Sequence, residues 1–427
     1  MDSRTPLMRS AGLVPRAAAL PNAGFAGEPQ RGKWLFLFAF AFACFLFWWL
    51  RSILLRAVFH LSDTVDDSTI VISVLAFLCF SAAYLIPRQG SAARWFSDET
   101  LDSCADFSYR VTVALFFPAL LVAAQLFLTN AKFDYGSSDP IPRPFQALLY
   151  THLFFGFLSI GAADPGRLGH RRLGIAAILL ILPRLIVSLH GARFFLAQAV
   201  VPLLILAIGR GWVRLTLKRV ASLAVVALFI IFVPAITRGD DILGTDGELQ
   251  LFMNSNILGL FQNNTDLSYE PDCPPLLISL TAKTVPYGLL EVCVIDSGGL
   301  KNMPATVERI LTNNEPGSFQ GTAAGTGSNY LLELYITGGL LAVYAGSALF
   351  GFSCRSFVLW TERRSLFSGI WAECLTRALL APRGNLGYVF ERIPSLVAAS
   401  VAFVFVVWVH RRVQEGCFGR AAGRCET

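Results

Sequence analysis

The sequence predicts an all-α polytopic integral membrane protein with about ten transmembrane helices, and three observations carry that prediction. Of 427 residues, 54% are hydrophobic and only 15% are charged, where a soluble domain carries about 25% charged residues. The apolar residues lie in long runs, which raises the mean hydropathy to +0.57. The Lys and Arg residues fall mostly in alternate connections between those runs. A water-soluble enzyme of two or three domains is excluded at this level.

Residues 1–33 hold Arg4, Arg9, Arg16, Arg31 and Lys33, and the first apolar run starts only at Trp34. A cleavable signal peptide would place a shorter apolar region nearer the start, so this stretch reads as a flexible basic cytoplasmic tail. A helix needs about 20 mostly apolar residues to cross the hydrocarbon layer. Runs that qualify are 34–54, 68–87, 109–129, 146–163, 173–189, 194–209, 220–237, 328–352, 365–381 and 394–410. Seven spans therefore occupy 34–237 and three occupy 328–410, with a long loop at 238–327 between them and a cytoplasmic C-terminal tail at 411–427. The fifth and sixth runs, separated only by His190 to Arg193, predict a tight helical hairpin. The ninth contains Glu373 and Arg377, four apart and so placed to pair on one helix face.

Orientation follows from the basic residues, which favour cytoplasmic connections. With the N-terminus inside, 21 of the 35 Lys and Arg residues fall on the inner side and 11, counting Arg51 at the outer edge of the first run, on the outer side. Arg110, Arg184 and Arg377 lie within spans. The net charge of +6 thus has a topological origin, and with no single basic stripe interleaved with aromatic residues, nucleic-acid binding is not expected. Cys273 and Cys293 share the long outer loop and are placed to form a disulfide if that face is oxidising. No Cys or His spacing reads as a metal site.

The outer loop has four basic and eleven acidic residues, Glu315 among them. Its stretch 303–315 predicts a short helix carrying Glu308 and Arg309 on its exposed side. The following GSFQGTAAGTGSNY at 317–330 is rich in small residues that let a backbone approach a polar ligand; a plain linker is the other reading. It lacks the Gly-Lys-Ser/Thr ending of a P-loop. In the eighth run, from Ser328 to Phe352, Asn329 and Glu333 share a face, and an intramembrane carboxylate is expected to look into the bundle or a cavity. Gly338, Gly339, Gly346 and Gly351 read as close helix-packing positions.

Three arginines stand against the inner-side bias: Arg193 in HGAR, Arg238 in ITRGDD and Arg383 in APRGNLG, all predicted near one outer water-lipid level. Arg184 lies about 13 Å deeper at 1.5 Å per residue and needs a partner or a hydrated cavity. Each has a structural alternative, headgroup contact or ion pairing. As a group beside a Gly-rich loop they read as an anion site, since guanidinium forks match phosphate oxygens. A lipid-linked diphosphate would present its charge at this depth and its chain to the bilayer.

This pattern resembles the bacterial O-antigen and exopolysaccharide repeat-unit polymerases (Wzy-type), which are related to the O-antigen ligases. The resemblance rests on the order of spans, on LHGARFFL at 189–196, on the large outer loop, on SNYLLELYITGG at 328–339 and on the late outer Arg383. It implies a GT-C-like membrane glycosyltransferase in the bacterial inner membrane, its active site facing the periplasm and no metal or other cofactor required. Its substrates would be undecaprenyl-diphosphate-linked oligosaccharides, and membrane lipids, a chain-length regulator and a flippase would be its partners. Ligases of this kind commonly carry a His where this chain has Ser328 and Asn329, which favours the polymerase. On the residues already named, Arg193, Arg238 and Arg383 would hold the diphosphate, with Arg184 and Arg309 as further substrate-binding candidates. Glu315 or Glu333 would accept the proton, and Asn329 and Tyr335 would position sugar hydroxyls. A ligase acting on lipid A core and a polytopic transporter or flippase are the competing readings.

Overall fold

The computed structural model describes residues 31–50, 67–87, 96–128, 143–189, 193–213, 330–383, 386–390 and 393–422. Among these residues the fold is all-helical, in the order α1 (Arg31–Cys44), a π-helical turn (Phe45–Trp49), α2 (Asp67–Leu85), α3 (Asp98–Leu128), α4 (Arg143–Ala162), α5 (Pro165–Ser188), α6 (Arg193–Gly209), α7 (Tyr330–Glu362), α8 (Ser368–Leu380), a 3-10 turn (Ala381–Arg383), α9 (Leu386–Phe390) and α10 (Ile393–Ala422). Three helical stretches, Asp67–Leu85, Asp98–Leu128 and Gly338–Glu362, are long and apolar enough to cross a membrane, and four shorter apolar stretches accompany them. The seventh run, 220–237, the outer loop with Cys273 and Cys293, and most of the N-terminal tail lie outside the described residues.

Exposure fits an apolar surrounding. Phe117, Leu121, Leu341, Phe405 and Val406 are all more than half exposed, which a water-facing helix surface would not tolerate as a continuous feature. The interior is aromatic: Phe36, Phe40, Phe80, Tyr84 and Phe350 form a stack from α1 through α2 to α7, with the Phe40 and Phe80 rings 4.0 Å apart. Glycine permits the closest approach. A Cβ on Gly351 would stand 2.2 Å from the Phe80 carbonyl oxygen, so α7 and α2 meet backbone to backbone there.

The helix ends that the charge pattern assigns to the inner side converge at one end of the bundle. Local rules start α3 there: Asp98 and Glu99 occupy its first turn and the Ser97 hydroxyl accepts from the Thr100 amide. Arg210, just past α6, donates to the carbonyls of Ile160, Gly161 and Arg363 and to the Ser368 hydroxyl, at 2.5 to 3.2 Å. Arg364 donates to the Ala162 carbonyl and pairs with Asp102, while Asp98 lies 3.6 Å away. The last carbonyls of a helix have no partner within it, and these guanidinium groups supply partners for the end of α4. Burial first, then the nearby Arg364 charge, lowers the Arg210 pKa to about 10, so it stays charged at neutral pH. Tyr84 from the end of α2 donates to the Lys33 carbonyl at the start of α1.

One sequence expectation needs correction. The eighth run was expected to be one continuous helix, but α7 is broken at Gly338 (φ −172°, ψ 34°) and Gly339 (φ 63°, ψ −157°). In a straight helix Tyr330 and Phe350 would stand about 30 Å apart, yet their ring centroids are 5.5 Å apart. A Cβ on Gly346 would likewise meet Leu334 at 2.4 Å. The arm 330–337 therefore folds back along the long arm as a helical hairpin. Gly346 and Gly351 are packing glycines as expected; Gly338 and Gly339 form the turn, the latter in a positive-φ region that disfavours side chains. The ninth run gives α8, 13 residues long and followed directly by the 3-10 turn. Its expected ion pair is present: Arg377 donates to Glu373 at 2.9 Å, both buried.

Candidate functional site

The half of the bundle away from the arginine-rich end contains irregular backbone held inside apolar surroundings. Such backbone is tolerated at membrane depth only where protein buries it or it lines a cavity, and its polar groups need partners. Both conditions trace to particular side chains.

Tyr330 begins α7 level with Phe350, about 15 Å along the long arm from the hairpin turn. Tyr330, Leu331, Leu332, Glu333 and Leu334 are all buried. Glu333, in the first turn of the short arm, has no exposed surface, and its Oε2 accepts a 2.6 Å hydrogen bond from the Leu386 amide at the start of α9. On the other side of Arg383, the Trp48 indole donates to the Pro382 carbonyl at 2.8 Å. The π-helical turn Phe45–Trp49 gives two consecutive tryptophans polar partners, since Trp49 donates to the Ser73 hydroxyl at 3.0 Å. Single π-turns of this kind recur at functional sites. Trp48 also packs against Tyr330, ring centroids 5.6 Å apart.

The sequence candidates distribute as follows. Glu333 and the Arg383 turn are brought together through Leu386, three residues beyond Arg383. Tyr335 is partly buried against the main apolar cluster. Arg193 opens α6 and Arg383 closes the 3-10 turn; their side chains, and all of Arg238, Arg309, Glu315 and Asn329, lie outside the described residues. Arg184 is committed to α4: it is fully buried, donates to the Leu149 carbonyl at 2.7 Å and lies 5.4 Å from the Tyr150 ring centroid. The partners shown are a backbone carbonyl and an aromatic ring.

Sequence reasoning passed over Trp48, His152 and Gln198. His152 on α4 is buried and faces the Phe116 ring at 6.5 Å. Gln198 on α6 is fully buried, and its amide has no hydrogen-bond partner among the described residues. A polar side chain within an apolar run is the signal that marks both; no comparable signal marks Trp48. A cavity of about 50 Å³ lies between α4, α8 and α10, lined by Tyr150, Phe154, Phe157, Ile370, Glu373 and Leu396. Among the described residues no three His, Cys, Asp or Glu side chains converge as a metal site.

On either side of Arg383 in sequence, the Pro382 carbonyl and the Leu386 amide are each bonded to a buried side chain from another element. No family model, curated protein or solved structure matches the chain.

Proposed function

We propose that this chain is a repeat-unit polymerase: a GT-C-like membrane glycosyltransferase with about ten crossings in the bacterial inner membrane, joining undecaprenyl-diphosphate-linked oligosaccharides at the periplasmic face. The observation that carries the reading is the Arg383 turn, anchored to buried Glu333 at the base of a broken helix, in the half of the bundle opposite the arginine-rich end.

In the reaction an acceptor hydroxyl oxygen attacks the anomeric carbon of the donor glycan. The bond from that carbon to the diphosphate oxygen breaks, and the lipid diphosphate leaves with the electron pair. Arg193, Arg238 and Arg383 hold the diphosphate and stabilise its growing charge, the type of preorganised electrostatics that usually gives the largest catalytic term. Arg309 contributes to the same anion from the outer loop. A carboxylate accepts the hydroxyl proton, with Glu315 and Glu333 as the candidates, and Asn329 and Tyr335 orient sugar hydroxyls.

A transporter or flippase is the second reading, favoured by the discontinuous α7, because broken helices mark the binding sites of many transporters. Deleting the gene in its native host and sizing the glycans separates the readings. The polymerase predicts loss of the long ladder with a single repeat unit still attached. Loss of all attached glycan would indicate a ligase, and accumulation of repeat units on the inner face a flippase.

A further inference from the structure

We infer that Glu333 is a positioning residue, not the proton acceptor: its carboxylate fixes the backbone of the turn that carries Arg383, with Trp48 as the second anchor. The activity readout of this inference rests on the polymerase reading; its structural readout does not.

Three observations lead there. The 2.6 Å hydrogen bond takes up one carboxylate oxygen with a backbone amide, and an amide at a helix start has no partner within its own helix. Glu333 is fully buried, as are its neighbours on the short arm Tyr330, Leu331, Leu332 and Leu334. The opposite anchor, Trp48 to Pro382 at 2.8 Å, reaches the same segment from the π-helical turn. Arg383 thus lies, in sequence, between two backbone groups each bonded to a buried side chain from another element. A side chain that only had to be acidic would not need this arrangement; one that had to hold a turn would.

The chemistry makes a sharp distinction. A glutamine keeps an acceptor oxygen where the carboxylate stands and can take the Leu386 N–H, but it cannot serve as a base. Full-length protein in lipid nanodiscs is followed by hydrogen–deuterium exchange of the peptide spanning 381–390, and the same variants are assayed for glycan ladder length in the deletion host. Glu333→Leu is expected to speed exchange in that peptide about tenfold or more, the scale of a lost charge-assisted hydrogen bond, and to shorten the ladder. Glu333→Gln is expected to restore both most of the way. Trp48→Phe keeps the ring, removes the donor and is expected to loosen the same peptide. It supplies the readout if Glu333→Leu does not fold.

Protection retained in Glu333→Gln together with complete loss of the ladder would overturn the inference and return Glu333 to acid-base chemistry. Unchanged exchange in both Glu333→Leu and Trp48→Phe would overturn it on structural grounds. If the exchange results are as expected while deletion leaves the ladder intact, the positioning role stands and the polymerase reading falls.

Discussion

The two ends of the bundle solve one problem, unpartnered backbone groups, by opposite means. At the basic end Arg210 alone makes four hydrogen bonds, three of them to carbonyls, and Arg364 adds another to the end of α4. In the opposite half one carboxylate oxygen serves one amide and one indole serves one carbonyl. The first arrangement concentrates many bonds on one cation and ties together segments that do not touch substrate in the proposed reaction. The second distributes single bonds over buried side chains around one turn. The comparison predicts that damage at the basic end destabilises the whole fold, whereas damage in the opposite half disables the site first.

The largest effect is expected from Arg210→Ala, which leaves several carbonyls without a charged donor. A loss of several kcal/mol, from about 1–3 kcal/mol for each buried carbonyl left unsatisfied, would appear as a lower unfolding temperature in detergent and reduced protein level. Next comes Gly351→Val, where even a Cβ overlaps the Phe80 carbonyl. Overpacking of this kind costs about 1–3 kcal/mol, read by the same unfolding measurement. Glu373→Gln sharpens the comparison further: it weakens a buried pair within one helix and should lower stability without abolishing the ladder. Smallest in stability and largest in function is Arg383→Lys. The charge remains but the fork is lost, so the unfolding temperature should stay near wild type while polymerisation falls; full ladder length in both Arg383→Lys and Arg193→Lys would contradict the diphosphate role.

The sequence made the helical class legible because hydropathy and Lys/Arg sorting are summed over many residues. The Glu373–Arg377 pair was legible from its four-residue spacing, and buried Glu333 from the rarity of carboxylates in apolar runs. What escaped depended on local backbone geometry. Gly338 and Gly339 look like Gly346 and Gly351 in composition, and only dihedral angles separate a turn from a packing surface. Arg210 and Arg364 were fully explained by orientation, so nothing in the sequence advertised their bonds to carbonyls. Trp48 gave no signal because a tryptophan near the end of an apolar helix is also expected at a membrane interface. That the Leu149 carbonyl lies beside Arg184 is likewise invisible in sequence distance.

Reconstitution tests the central claim most directly. Full-length protein in nanodiscs, supplied with undecaprenyl-diphosphate-linked repeat units from its own host, should produce glycans of two or more units and release free undecaprenyl diphosphate. The Arg383→Ala protein, equally folded, should produce neither. Folded wild-type protein that leaves the repeat units unjoined under these conditions would contradict the account.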